Sequence, residues 1–191
     1  MYFIGATMQA IDMKSASGFI HGYRYNIRTL SNLLFEKFEN TEYPKENVFI
    51  NPFDKFLEAL YTRFSISDAL FQLYGFLGDM LVFNQKENCV EWYKDLPIGY
   101  INKIKEENKK VLQLTLEFGF HNHPGKSSME FLGPSDIHDT KNSAFLHPVI
   151  RYYHKGIEKE FHFGDSLLGR WDLPHHDGGA IASYHLEFYN W

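Results

Sequence analysis

The sequence predicts an α+β fold, because its apolar residues follow a helical period first and a strand period later. Ile20, Tyr23, Ile27, Leu30, Leu34 and Phe38 recur at spacings of three and four. Phe53, Phe56, Leu57, Leu60, Tyr61 and Phe64 do the same, and each set falls on one side of a helix. Leu112, Leu114, Leu116, Phe118 and Phe120 instead alternate with Gln113, Thr115, Glu117 and Gly119, the period of a half-buried strand. With 191 residues, 44% hydrophobic and 17% aromatic, the chain has the material for one packed domain, or for a fragment joined to a small domain.

Residues 1–4 read as an apolar strand, Gly5 as a turn, and residues 15–18, Ser-Ala-Ser-Gly, as the close of a loop. The first helix follows, capped by Ser15 or Ser17. Its apolar stripe is expected to face the core, and His21, Arg24, Arg28 and Asn32 form the polar side. Gly18 and Gly22 let another group approach the backbone. Free amides and a positive dipole end suit an anionic or carbonyl-bearing cofactor there, although an ordinary strand–loop–helix unit has the same pattern.

Residues 39–47, polar and containing a proline, read as a linker. Asn51-Pro52 is expected to cap the second helix. Ser65 or Ser67 then opens a third, burying Ile66, Leu70, Leu73, Leu77 and Leu81 and weakened at Gly75 and Gly78. The run 64–83 is long enough to cross a bilayer, but Asp68, Gln72 and Asp79 interrupt it, so a buried helix without a membrane span is expected. Further on come strands at 89–93 and 112–120, and a hairpin of 149–154 with 157–163 about Lys155-Gly156. A long loop at 121–147, rich in Gly, Pro, Ser and Asp, lies between them, and residues 180–189 close the chain as a helix after the hinge Gly178-Gly179. The result is a small antiparallel sheet backed by a helical pair.

A net charge of −5 and the lack of a dense basic run argue against a nucleic-acid partner. Lys103, Lys105, Lys109 and Lys110 alternate with Glu106 and Glu107 as a solvated face. Cys89 is the single cysteine, which excludes an internal disulfide, a C-x-x-C pair and a cysteine zinc site. It reads as a small apolar strand residue rather than a nucleophile, and no G-x-S-x-G occurs. Ten histidines, among them His121, His123, His138, His147, His162, His175 and His176 beside Asp177, invite a metal-dependent hydrolase. Their spacing is not that of a ligand set, there is no H-E-x-x-H, and most read as loop or surface residues, so no metal site is assigned.

The opening residues go further. YFIGATMQAIDMK followed by SASGFIHGYRYNIRTL resembles the end of the FAD domain in flavin-dependent oxidoreductases of the flavin-monooxygenase and pyridine-nucleotide-disulphide-oxidoreductase type. The likeness is dense over about the first forty residues and returns in HPVIRYYHKG and HHDGGAIASYHLEFYNW. It implies FAD as cofactor and NAD(P)H as electron donor. By position it implies Gly5, Ala6, Gly18, Phe19 and Ile20 as flavin neighbours, with Asp12 and His21 as further candidates; no catalytic residue is assigned. Within that group the chain is most similar to an animal branch tied to endoplasmic-reticulum-associated degradation. That implies the endoplasmic reticulum lumen, with misfolded glycoprotein clients or chaperones as partners; a cytosolic flavin-containing monooxygenase is the milder version.

The G-x-G-x-x-G turn that binds the phosphates of a dinucleotide is missing. The expectation is therefore a C-terminal fragment, inactive alone. Residues 1–40 would be the last strand and helix of a truncated FAD/NAD(P)-binding domain, and residues 48–191 a C-terminal α+β domain. A competing reading makes the chain from residue 48 onward a non-catalytic module that binds a client or partner protein through aromatic surfaces and the long loop.

Overall fold

In the computed structural model, Tyr2, Ile4 and residues 20–84, 88–105, 109–118, 140–142, 145–164, 166 and 168–173 are described. Both kinds of apolar run in the later sequence, alternating and continuous, become strands. These are β1 (Glu46–Phe49), β2 (Leu77–Asn84), β3 (Cys89–Pro97), β4 (Val111–Phe118), β5 (Leu146–His154) and β6 (Ile157–His162). They join in one sheet of order β1-β3-β2-β4-β5-β6, each neighbour antiparallel. Leu81 stands opposite both Trp92 and Leu112, and Leu114 opposite Ile150, so one face carries a continuous apolar row across four strands.

Helices α1 (Ile20–Glu39), α2 (Phe53–Ile66), α3 (Asp68–Gln72) and α4 (Ile101–Lys105) surround that sheet. Helix α2 lays Phe56, Leu57, Leu60, Tyr61 and Phe64 on the apolar row, as its spacing predicts. The other face, with Met80, Val82, Val111 and Tyr153, is covered by Ile101 and Ile104 of α4, by Tyr43 and by Leu33 of α1. Tyr25 of α1 packs on Ala69, Leu73 and Leu77. The sheet is thus covered on both sides.

Double coverage explains where the sequence pattern misleads. Strand β4 is not half-buried: Gln113 and Thr115, expected in solvent, are buried. Gln113 meets the need for hydrogen bonds by donating to the Ile98 carbonyl at 2.8 Å and accepting from the Tyr153 hydroxyl at 3.2 Å. The third helix stops at Gln72, and Leu77 and Leu81 lie in β2 instead. A continuous apolar run is the signature of a strand buried on both faces as much as of a buried helix. Gly75, at φ 70°, makes the break and donates its N–H to the Leu116 carbonyl at 3.1 Å. Ser67 caps α3 as expected, accepting from the Leu70 amide at 3.2 Å, but Ile66 is exposed.

Three smaller corrections follow. Pro52, not Asn51, occupies the position before α2, and it makes no side-chain cap. The end of the expected linker enters β1, where Glu46 pairs with Trp92. Tyr2 and Ile4 belong to no strand. The rest of the first strand, the loop to residue 19 and the closing helix lie outside the described residues, as does the long loop apart from 140–142 and 145–147. The hairpin is found as read, with Lys155 and Gly156 at φ 50° and 78° joining β5 to β6.

Candidate functional site

The expected flavin helix docks the opposite way round. Gly22, Tyr25, Asn26 and Thr29 are its buried residues. On a helix turning about 100° per residue they lie across from Ile20, Ile27 and Phe38, which are 84%, 51% and 65% exposed. Phe35 is exposed beside them, and Tyr23, Leu30 and Leu34 are half-buried. The apolar stripe therefore faces outward, because polar groups elsewhere on the helix find stronger partners. Arg28 pairs with the Asp95 carboxylate, and the Thr29 hydroxyl donates to the Asp95 carbonyl at 2.7 Å. Tyr25 donates to Asp68 at 3.1 Å while the Arg24 and Arg28 guanidinium groups lie over its ring. Near the other end, Tyr100 donates to Glu36 at 2.8 Å.

Arg28 is the outer end of a buried ionic node. Asp79, inside β2 and closed to solvent, accepts from Arg63 Nε at 2.7 Å and Nη2 at 2.9 Å. It also accepts from Trp92 Nε1 at 2.8 Å and the Asp95 amide at 3.0 Å. Arg63 Nη2 reaches on to Asp95 Oδ1 at 2.6 Å. Two arginines and two aspartates balance. Burial works against the Arg63 charge, but Asp79 and Asp95 more than offset it and push its pKa up. Asp95 sits at φ 58°, where β2 slips register against β3 between Gly78 and Met80; that irregularity turns its amide to Asp79 and its carboxylate to both arginines.

A second polar network lies across β4, β5 and β6. His147 Nδ1 is 2.9 Å from the Phe145 carbonyl, and its Nε2 is 2.9 Å from His162 Nδ1. His162 Nε2 in turn is 2.8 Å from Glu160 Oε1, within ion-pair reach but off the line of a well-aligned hydrogen bond. Glu160 also takes Lys141 at 3.0 Å and Arg151 Nε at 2.7 Å. Arg151 grips both oxygens of Glu117, which also accepts from Thr115 at 2.6 Å. Burial would raise both carboxyls. Contact with His162, Lys141 and Arg151 instead holds Glu160 at about 2, and Arg151 holds Glu117 below the usual range.

Of the sequence candidates, Ile20 and His21 stand exposed on the first turn of α1. Gly5, Ala6, Asp12, Gly18 and Phe19 lie outside the described residues. Two of the singled-out histidines, His147 and His162, are brought together; His121, His123, His138, His175, His176 and Asp177 are outside the described residues. Among the described residues no His, Cys, Asp and Glu side chains group as a metal ligand set, and no helix is long and apolar enough to cross a membrane. Cys89 is buried in β3. A cavity of about 250 Å³ beside the β5–β6 turn, lined by Lys109, Tyr153, His154 and Lys155, is smaller than most ligand sites.

Sequence reasoning missed Arg63, Asp79, Asp95, Glu117, Arg151 and Glu160. Asp79 did leave a signal: a carboxylate inside the run Leu77–Asn84 requires a buried cation. Glu117 left none, since it occupies a position that alternation assigns to solvent.

No family model and no solved structure matches the chain. Two curated proteins do, both named FAD-dependent oxidoreductase domain-containing protein 2. The one from Mus musculus is 25% identical over 184 residues, covering 91% of this chain and 27% of its own length. The one from Danio rerio is 27% identical over 188 residues, covering 91% of this chain and 25% of its own length. The resemblance carried by the opening residues therefore extends over most of the chain, and the chain spans about a quarter of these relatives.

Proposed function

We propose that this chain is the C-terminal part of an FAD-dependent oxidoreductase, in which α1 forms one wall beside the flavin and the sheet holds that wall in place. The observation that supports it best is the outward stripe of α1. A helix tied down by Arg28, Thr29 and Tyr25 on its inner side, yet showing Ile20, Ile27, Phe35 and Phe38 outward, has a second partner to cover them. The names and lengths of the two relatives support a flavin-binding domain as that partner.

The residues present do not fit a whole FAD. The chain has no G-x-G-x-x-G dinucleotide phosphate turn, and of the candidate flavin neighbours only Ile20 and His21, on the first turn of α1, are among the described residues. The phosphates and adenine must be held elsewhere in the larger protein, so no step of flavin chemistry is assigned to these side chains and the chain alone is inactive. NAD(P)H as electron donor, the endoplasmic reticulum lumen, and misfolded glycoprotein or chaperone partners belong to the same proposal; they rest on the wording of the opening residues.

The test is flavin retention by the full-length protein. Purified full-length protein is expected to carry FAD, and Ile27→Asp with Phe35→Asp to lower its flavin content several-fold while this chain alone keeps its folding midpoint. A colourless full-length protein rejects the reading. The second reading, a non-catalytic module for a protein client, draws on the same exposed stripe. It gains if the double variant keeps its flavin and loses a bound partner.

A further inference from the structure

We infer that α1 opens and closes on the sheet as a unit of its own, hinged at Asn40 and latched on Asp95, while the rest of the fold stays closed. Packing of an apolar face is what fastens a helix in a globular domain, and the two long helices differ in it. Helix α2 sets Phe56, Leu57, Leu60, Tyr61 and Phe64 into the core. The buried residues of α1 are Gly22, Tyr25, Asn26 and Thr29. Among them only Tyr25 has a large side chain to pack, and Leu33 adds a half-buried one. A helix that turns so little apolar surface inward depends on its polar contacts, each of which stabilises far less than a buried core side chain.

Two of those contacts converge on one residue. Arg28 reaches the Asp95 carboxylate and Thr29 the Asp95 carbonyl. Asp95 keeps further contacts that involve no residue of α1. Its Oδ1 accepts from Arg63 Nη2 at 2.6 Å, its amide donates to Asp79 at 3.0 Å, and its carbonyl lies 3.4 Å from the Tyr43 hydroxyl. The ionic node therefore survives withdrawal of α1, and the Arg28 side chain, already 57% exposed, passes into water. Further ties lie towards the surface: Tyr25 to Asp68, which is exposed, and Tyr100 to Glu36.

The hinge lies where α1 ends. Asn40 follows the helix at φ 55°, a left-handed conformation that asparagine adopts more readily than most residues, and it is exposed. Just beyond it, Tyr43 is buried with Met80, Val82 and Leu96 and donates to the Lys94 carbonyl at 3.1 Å. The chain is thus pinned to the sheet immediately after the hinge. Tyr43, Ile101 and Ile104 keep that face covered when α1 lifts, and opening uncovers chiefly Ala69, Leu73 and Leu77 beneath Tyr25. The inference stands on this chain and does not depend on a flavin. Under the reading above, the same latch would fix the wall beside the flavin.

The experiment is native-state hydrogen exchange of the full chain, read by NMR at a series of urea concentrations below unfolding. Amides in the middle turns of α1 are expected to be protected about tenfold less, or lower still, than those of α2. Their exchange should also respond more weakly to urea, because lifting α1 exposes little surface. Arg28→Met, at a half-exposed position, removes the outer arm of the latch and should speed α1 exchange about tenfold more while leaving α2 unchanged. Equal protection and one urea dependence shared by α1 and α2 would overturn the separate unit. An Arg28→Met variant that speeds both helices alike, or neither, would overturn the latch. Should that variant fail to fold, the wild-type comparison decides alone. The measurement contains no FAD, so its failure is distinct from a failure of the flavin reading.

Discussion

Asp79 accepts hydrogen bonds from Arg63, Trp92 and the Asp95 amide without any contact with water. In such a place the net worth of an ion pair is small, but removing one partner strands the other's charge. Asp79→Ala is therefore expected to destabilise the chain by about 3–5 kcal/mol, measured as the shift in urea unfolding at neutral pH. A loss below about 1 kcal/mol, the size of an exposed pair, would show that the node does not hold the core. Gly78 gives an independent test one residue away. A Cβ there would sit 2.7 Å from the Leu114 carbonyl oxygen and 3.0 Å from Thr115 Cγ2. Because the first obstacle is backbone, Gly78→Ala should cost about 1–3 kcal/mol in the same measurement. In the sequence Asp79 signals a need for some buried cation without naming it, and Gly78 reads only as a weak helix position. The partners that give them meaning arrive only with the β2–β3 register.

Elements were legible where one neighbour sets the pattern. Helix α2 and the β5–β6 hairpin each show a single period and a local turn signal, and both are present as read. Strand β2 was not, since coverage on both faces erases the alternation that would mark it. For α1 the helix was legible and its orientation was not. The periodicity of Ile20, Ile27 and Phe38 reports that one side is apolar, and it cannot report which body covers that side. The candidate site shares this limit: Ile20 and His21 open α1, while the carboxylates that aim the helix, Asp95 and Asp68, lie in β3 and α3. The orientation yields an expectation for the chain alone. Ile27→Asp with Phe35→Asp should change its unfolding free energy by no more than about 0.5 kcal/mol, as for ordinary surface positions. A loss of several kcal/mol would mean that the stripe is covered within this chain, and the case for an external flavin domain would weaken with it.

At the scale of the molecule, ion-paired carboxylates spread over the sheet and the segment after it set an acid limit. Glu160 is held at about 2 because its cationic partners outweigh burial, and Asp172 at about 2 chiefly by Arg170. Arg151 lowers Glu117 in the same network, and Lys45 lowers Glu91 on β3. These groups are depressed relative to the unfolded chain, so their contribution is complete above about pH 4.3 and disappears as pH falls through about 2. The urea midpoint of the full chain should therefore fall steadily between those limits, and Glu160→Gln should make the slope shallower. A midpoint that stays flat from about pH 5 to about pH 2 would mean that the pairs around Arg151 and Arg170 are too well solvated to stabilise the fold. Breaking Arg151 would then act through its packing between Glu117 and Glu160 rather than through its charge.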